Sequence, residues 1–373
     1  MIPHGTDPFV VVRGDVLADA LGRKQGVTAY TLKINSGQPK TLGEKVKFFF
    51  SNLARPISVV QNDLKDYDVI VPYLFLPVAP WSIWLIRFFA RWQVSRVIQL
   101  IQPKFVINAS YFSFSVTPSR YYRLIYDLVD DFDGSPREGW FDRSVRQFVG
   151  RELKSADEIW TISLGLMSKL KQVGYQTIRY VPNGTTVDKF RTVSDTKISA
   201  LRRKLGVTNK TVIGYIGNHA SWSGIDFVLD LARKVPKNWI FLVVGGGSEV
   251  DKHKATAPKN MKFIGPVLPS EVATYFRLTD IGILPFIRMP FTDNALPIKV
   301  IEYGAARKLL IAERLTELQR LRFPHVVFPK RRSVAAWLAA LKTTRRTRWQ
   351  AGWDQTIEAF DWNEIAKKIP LDY

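Results

Sequence analysis

The chain has 373 residues, 46% of them hydrophobic and 13% aromatic, which excludes a disordered protein and exceeds what one core usually holds, so two globular domains are expected. Its lack of cysteine rules out a disulfide framework or a thiolate metal site, and its four histidines, at positions 4, 219, 253 and 325, have no ligand-like spacing. The formal charge of +21 favours anionic partners (nucleic acid, acidic lipid or phosphorylated substrates), with 23 Lys/Arg against 16 Asp/Glu in residues 1–180 and 31 against 17 in the rest.

Residues 1–7 are polar and lead into no uncharged apolar run, so no secretory leader is expected. After residues 10–13, Val16, Leu17, Ala20 and Leu21 have helical spacing, and residues 27–34 read as a strand. A doubly wound domain usually opens with a strand and a glycine-rich turn before its first helix. Here that strand is absent or a stub, as truncation at the N-terminus would leave it. Residues 68–76 read as a buried strand and 81–101 as a helix. Arg87, Arg91 and Arg96 interrupt the apolar run of that helix, so it is not expected to span a membrane. Strands are expected at 104–109 and 123–129, the latter closed by the acidic run Asp130, Asp131, Phe132, Asp133. Residues 143–154 read as helix, 158–163 as strand, 164–172 as helix, and 178–186 as a strand stopped by Pro-Asn-Gly.

The second half repeats the pattern. Strands are expected at 211–216, 239–244, 262–264, 281–284 and 309–312, with helices at 224–234 and from 298. An amphipathic helix is expected around 349–368. Short apolar strands alternating with helices predict a parallel α/β sheet in each half. The domains are placed at 1–184 and 185–350, with a helical tail, 351–373, packing back toward the first.

Residues 294–306 carry the densest chemistry. Pro297 stands at a helix start, where first-turn amides have no intrahelical partner. Those amides and the helix dipole suit an anion, and Lys299 adds a charge at the same end. Glu302, three residues on, faces the same way and can accept from vicinal hydroxyls. A diphosphate and a ribose can thus be read from one helix start.

The halves and their turns resemble GT-B glycosyltransferases. The residues that carry the resemblance are Ile213-Gly214-Tyr215-Ile216-Gly217-Asn218, Val243-Val244-Gly245-Gly246-Gly247, residues 279–286, and Pro297-Ile298-Lys299 through Glu302-Tyr303. The resemblance covers about residues 120–365 and implies two Rossmann-like domains facing a central cleft. The donor is expected in the C-terminal half, on Gly217, Asn218, His219, Gly245, Gly246, Phe286, Asn294, Pro297, Ile298, Lys299 and Glu302. Within GT-B the chain is similar to membrane-associated polysaccharide enzymes such as the β-glucuronosyltransferase of xanthan assembly. That similarity implies an inverting, metal-independent transfer from a UDP-sugar, glucuronic acid foremost, to a lipid-linked oligosaccharide at the cytoplasmic face of the inner membrane. No cofactor is expected beyond the nucleotide sugar. Many retaining GT-B enzymes carry Glu-x7-Glu; here Glu302 holds the second position and Asn294 the first, which disfavours retention.

The general base is expected in the acidic run, Asp131 first and Asp130 second. Between Asp68 and Asp127 there is no acidic residue. Trp81, Trp84, Arg87, Phe88, Arg91 and Trp92 lie in that interval and are expected to meet an anionic membrane surface. A retaining transferase using another nucleotide sugar and a basic nucleic-acid-binding protein are the alternatives. No nucleic-acid module is recognised, and nucleic acid is not the expected partner.

Overall fold

A computed structural model of the chain describes residues 13–24, 26–34, 57–61, 67–71, 78–136 and 138–371. The expected opening stub at residues 10–12 and the end of the expected strand at 72–76 lie outside the described residues. The chain divides into two compact units, Met1–Val181 with Ala366–Tyr373, and Pro182–Ile365. Residues 351–365 of the expected tail therefore count with the second unit and 366–373 with the first.

In the first unit, α1 (Arg13–Gly22) leads to β1 (Tyr30–Ile34), β2 (Ser58–Gln61) and β3 (Tyr67–Val71). α2 (Ile83–Ile101), β4 (Phe105–Asn108), β5 (Arg123–Leu128), α3 (Trp140–Ser155), β6 (Glu158–Thr161), α4 (Leu164–Gln172) and β7 (Ile178–Tyr180) follow. One sheet has the order β1-β3-β2 and the other β4-β5-β6-β7. All pairs are parallel except β2 with β3. The β2 strand was not legible because its four residues are all exposed and give no alternation. α2 buries Ile83, Ile86, Ala90, Val94 and Val97, at three- and four-residue spacing, and ends where Gln102 turns left-handed at φ 50°.

The second unit opens with α5 (Val187–Arg191) and α6 (Asp195–Lys204), then β8 (Thr211–Ile216), α7 (Ile225–Ala232), β9 (Trp239–Val244), α8 (Val250–Ala255) and β10 (Met261–Gly265). α9 (Pro269–Leu278), β11 (Ile281–Leu284), α10 (Pro290–Asp293), α11 (Ile298–Ala305), β12 (Leu309–Ala312), α12 (Thr316–Leu321), β13 (Val326–Val327) and α13 (Val334–Thr344) complete the wind. Its sheet is parallel throughout, in the order β10-β9-β8-β11-β12-β13. Every residue of β8, β9, β11 and β12 is buried, as expected of strands covered on both faces. The expected helix at 349–368 is instead two short ones, α14 (Asp354–Glu358) and α15 (Trp362–Lys367). The break forms because Thr185 takes both main-chain bonds there, from its amide to Phe360 O and from Trp362 N to its carbonyl.

Candidate functional site

In the second sheet, β8 to β10 step one way and β11 to β13 the other, so strand order reverses between β8 and β11. Ligands of open α/β sheets bind at that reversal, beyond the strands' carboxyl ends. Gly217-Asn218 leaves β8 there, Pro285-Phe286 leaves β11, and the start of α11 lies beside them. An added Cβ at Gly217 would sit 3.8 Å from Lys299 Cε, so the lysine stem borders the turn. The same Cβ meets nothing closer than 3.6 Å. The fold therefore does not require glycine at 217, although the Gly217 amide itself donates to Val244 O at 2.9 Å.

Another glycine, Gly282, lets α11 come this close. Tyr303 is fully buried and donates to Gly214 O at 2.6 Å. A Cβ at Gly282 would stand 2.5 Å from the Tyr303 ring. With glycine there the tyrosine lies against the sheet, and α11 presents Lys299 and Glu302 at the reversal. Lys299 Nζ lies 2.9 Å from Glu302 Oε2 and 5.7 Å from the Phe276 ring centroid. Pro297 caps the helix and Ile298 begins it, while Asn183 Nδ2 holds the preceding loop through Leu296 O at 2.8 Å. Lys189 of α5 was missed in the sequence. It is half-buried, its pKa is lowered by burial, and it feels Glu302 and Lys299. Nothing local distinguishes it; only the packing of α5 on α11 brings it here.

Gly245 and Gly247 have φ of 128° and 147°. Their added Cβ atoms would stand 2.0 Å from Gly217 O and 2.2 Å from Asn218 Oδ1. These glycines let the turns after β8 and β9 interlock. Gly246 O accepts from His219 N at 2.8 Å and binds the same two turns together. Phe286 is buried edge-on against Trp222, and Arg332 donates to both Pro285 O and Phe286 O. Asn294 is half-buried, and its amide closes α10 onto Pro290 O.

The expected donor contact from the His219 side chain is corrected. The ring is fully buried between Tyr215, His253 and Phe263, and neither nitrogen has a hydrogen-bond partner among the described residues. Burial, with His253 and Lys254 nearby, lowers its pKa to about 4, and burial does the same to His325. Below pH 6.5 the unfolded chain takes up protons that these rings refuse until about pH 4. The stability these two rings contribute is therefore fully present above pH 6.5 and is lost as pH falls toward 4. Calorimetric melting from pH 7 to pH 4.5 is expected to show this decline, with a shallower slope in His219→Phe.

In the first unit, Asp131 is 4% exposed, bonded to Lys169 Nζ and to Gly134 N at 3.0 Å. A carboxylate so engaged fixes its turn and already has a cation and an amide on it. Asp130 is half-buried at the end of β5. Asp127, also at that end, binds Arg13 at 2.9 and 3.1 Å, a pairing the sequence did not disclose. Arg87 does not face outward. It donates to Phe112 O and Ser144 O, lies 5.0 Å from the Phe148 ring, and has its pKa lowered to about 10 by burial. Trp81, Trp84, Phe88 and Trp92 are 61%, 61%, 69% and 44% exposed, Arg91 is exposed beside them, and Arg96 lies over the Trp92 ring at 4.9 Å. No described helix is long and apolar enough to cross a membrane, and no group of three metal-ligating residues occurs among the described residues.

Two α/β units with parallel sheets, the second with its turns gathered at the strand reversal, have the fold of GT-B glycosyltransferases. Residues 210–343, within the second unit, match the family described as "Glycosyl transferases group 1". TuaH of Bacillus subtilis, assigned to teichuronic acid biosynthesis as a glycosyltransferase, is 28% identical over 163 residues, 43% of this chain and 40% of that protein. WcaI of Escherichia coli, assigned to colanic acid biosynthesis as a glycosyl transferase, is 26% identical over 271 residues, 68% of this chain and 66% of that protein. The alignments thus span less than two thirds of either relative. Among solved structures, Anabaena HepE in complex with UDP and glucose superposes with a TM-score of 0.69 at 15% identity, over 98% of this chain and 96% of that one.

Proposed function

We propose that the chain is a glycosyltransferase of polysaccharide assembly that holds a UDP-sugar at the reversal of the second sheet. The observation that carries this reading is the meeting of the Gly217 turn with Lys299 and Glu302 at the start of α11. The first-turn amides of α11 and a lysine there suit a diphosphate, and the carboxylate suits a ribose. The Anabaena structure's UDP and the relatives' polysaccharide roles support the same reading. The leaving diphosphate is stabilised by Lys299 and the helix-start amides, without a metal ion. Transfer inverts the anomeric centre, glucuronic acid is the first sugar to try, and the acceptor is a lipid-linked oligosaccharide.

A panel of nucleotide sugars tested for thermal stabilisation decides the donor. At 100 times its Kd, a ligand adds about 2.7 kcal/mol to stability. A UDP-sugar is expected to raise the melting temperature most. No shift with any nucleotide would count against the reading, and a preference for GDP- or ADP-sugars would favour the retaining alternative.

The acceptor's lipid places the enzyme at the cytoplasmic face of the inner membrane, on the outer face of α2. Four exposed aromatics with Arg91 and Arg96 suit the headgroup layer, where rings partition and guanidinium groups meet phosphate. In flotation, binding is expected to anionic but not neutral vesicles at low salt, and to weaken in Trp84→Ser/Phe88→Ser. Equal binding to both vesicles would remove this part of the proposal.

A further inference from the structure

Residues 314–353, all in the second unit, hold ten Lys/Arg and one acid, Glu317, which is fully buried. Five of those cations gather at one end of the second sheet. Arg322 closes α12 just before β13, the end strand of that sheet. Lys342 stands in the last turn of α13, and Arg345, Arg346 and Arg348 follow. The Trp349 ring, next to Arg348, lies 5.8 Å from the ring of His325, three residues past Arg322. Both runs therefore meet at the amino end of β13. The donor is proposed beyond the carboxyl ends of β8 and β11, so these cations lie away from its diphosphate.

All five are exposed, and none makes a hydrogen bond or ion pair through its side chain among the described residues. The fold accounts for only part of this. A helix dipole favours a cation in the last turn, which explains Lys342. It does not explain Arg346 and Arg348, which lie beyond the helix, or Arg322. Arg322 sits at φ 49°, in the left-handed cap position that glycine ordinarily fills. Arg307 is also left-handed, at φ 56°, but its guanidinium is bonded to Asp354 at 2.7 and 3.2 Å. Arg322 keeps a charge on a strained backbone with no partner inside the fold.

We infer that this end of the second unit is an electrostatic docking face for an anionic bilayer, on which the five cations meet lipid phosphates. None of the large apolar side chains in residues 314–353 is exposed. A protein partner needs apolar or aromatic anchors at the centre of its interface, and a single nucleic-acid strand needs rings on which bases stack. Neither is offered here. An anionic bilayer holds basic segments by charge alone, with each cation near the surface worth about fivefold in affinity. Duplex nucleic acid shares that chemistry, and lipid is favoured because the acceptor is proposed to be lipid-linked. The inference rests on that part of the proposed function.

Flotation of the full chain with vesicles of phosphatidylglycerol and phosphatidylcholine in equal parts, at low salt, tests it. Arg345→Gln/Arg346→Gln/Arg348→Gln is expected to bind about 100-fold more weakly than the parent. Arg322→Gly is expected to bind about fivefold more weakly at an unchanged melting temperature, because glycine suits the left-handed cap. Binding by the triple variant equal to the parent's would overturn the docking face and leave the membrane contact of α2 standing. No binding by the parent would overturn both. Tighter retention of the parent on duplex DNA than on the vesicles, lost in the triple variant, would replace the lipid with nucleic acid.

Discussion

Asp130→Asn is expected to lower sugar transfer by on the order of 10²–10⁴ without weakening UDP binding. Direct displacement at an anomeric carbon needs a group that takes the acceptor hydroxyl's proton as the new bond forms. The base is proposed in the first unit because the donor is proposed in the second. Asp130 lies two residues beyond β5, and the carboxyl ends of parallel strands are where α/β sheets place their chemistry. Its neighbour supplies the control. Asp131 is buried on Lys169 and the Gly134 amide, so Asp131→Asn is expected to cost stability more than turnover. Removing one partner of a buried pair leaves the other charge uncompensated. Initial rates and UDP calorimetry on both variants separate the two roles. If Asp131→Asn loses turnover at unchanged stability while Asp130→Asn stays active, the assignment is reversed.

Lys299→Ala is expected to weaken UDP binding by about 10- to 150-fold, the equivalent of one charge-assisted hydrogen bond at ~1.5–3 kcal/mol. Its ammonium rests on Glu302 and beside the Phe276 ring, so it is held in place before a phosphate arrives. Glu302→Ala is expected to cost less. It loses the ribose contact but frees Lys299 and the nearby Lys189 from their counter-charge, and both attract the diphosphate. The salt dependence should separate these effects, because Lys299→Ala removes a cation and flattens it. Equal affinities in both variants and the parent would move the donor site elsewhere.

The second unit was legible because its strands are short apolar runs, three of them stopped by Gly217, Gly245 or Pro285 and the fourth by the charged Glu313. The expected strands at 211–216, 239–244, 281–284 and 309–312 are those observed. Lys299 and Glu302 were legible because three residues of helix put them on one face. Other features depend on contacts that spacing does not encode. Arg87 looked like a membrane arginine, yet it folds back onto carbonyls of residues 112 and 144. His219 sits in the right turn but points into the core, since the glycines at 245 and 247 draw two turns together over it. The acidic run gave a location for the base and no order within it. Lys169, 38 residues on, claims Asp131, and nothing in the run announces that.

Photo-crosslinking with 5-azido-UDP, followed by peptide mapping, tests the donor site most directly. Label is expected in the segments around Gly217, Gly245 and Lys299, all in the second unit, and excess UDP should abolish it. Displaceable label confined to residues 1–181 would contradict the assignment.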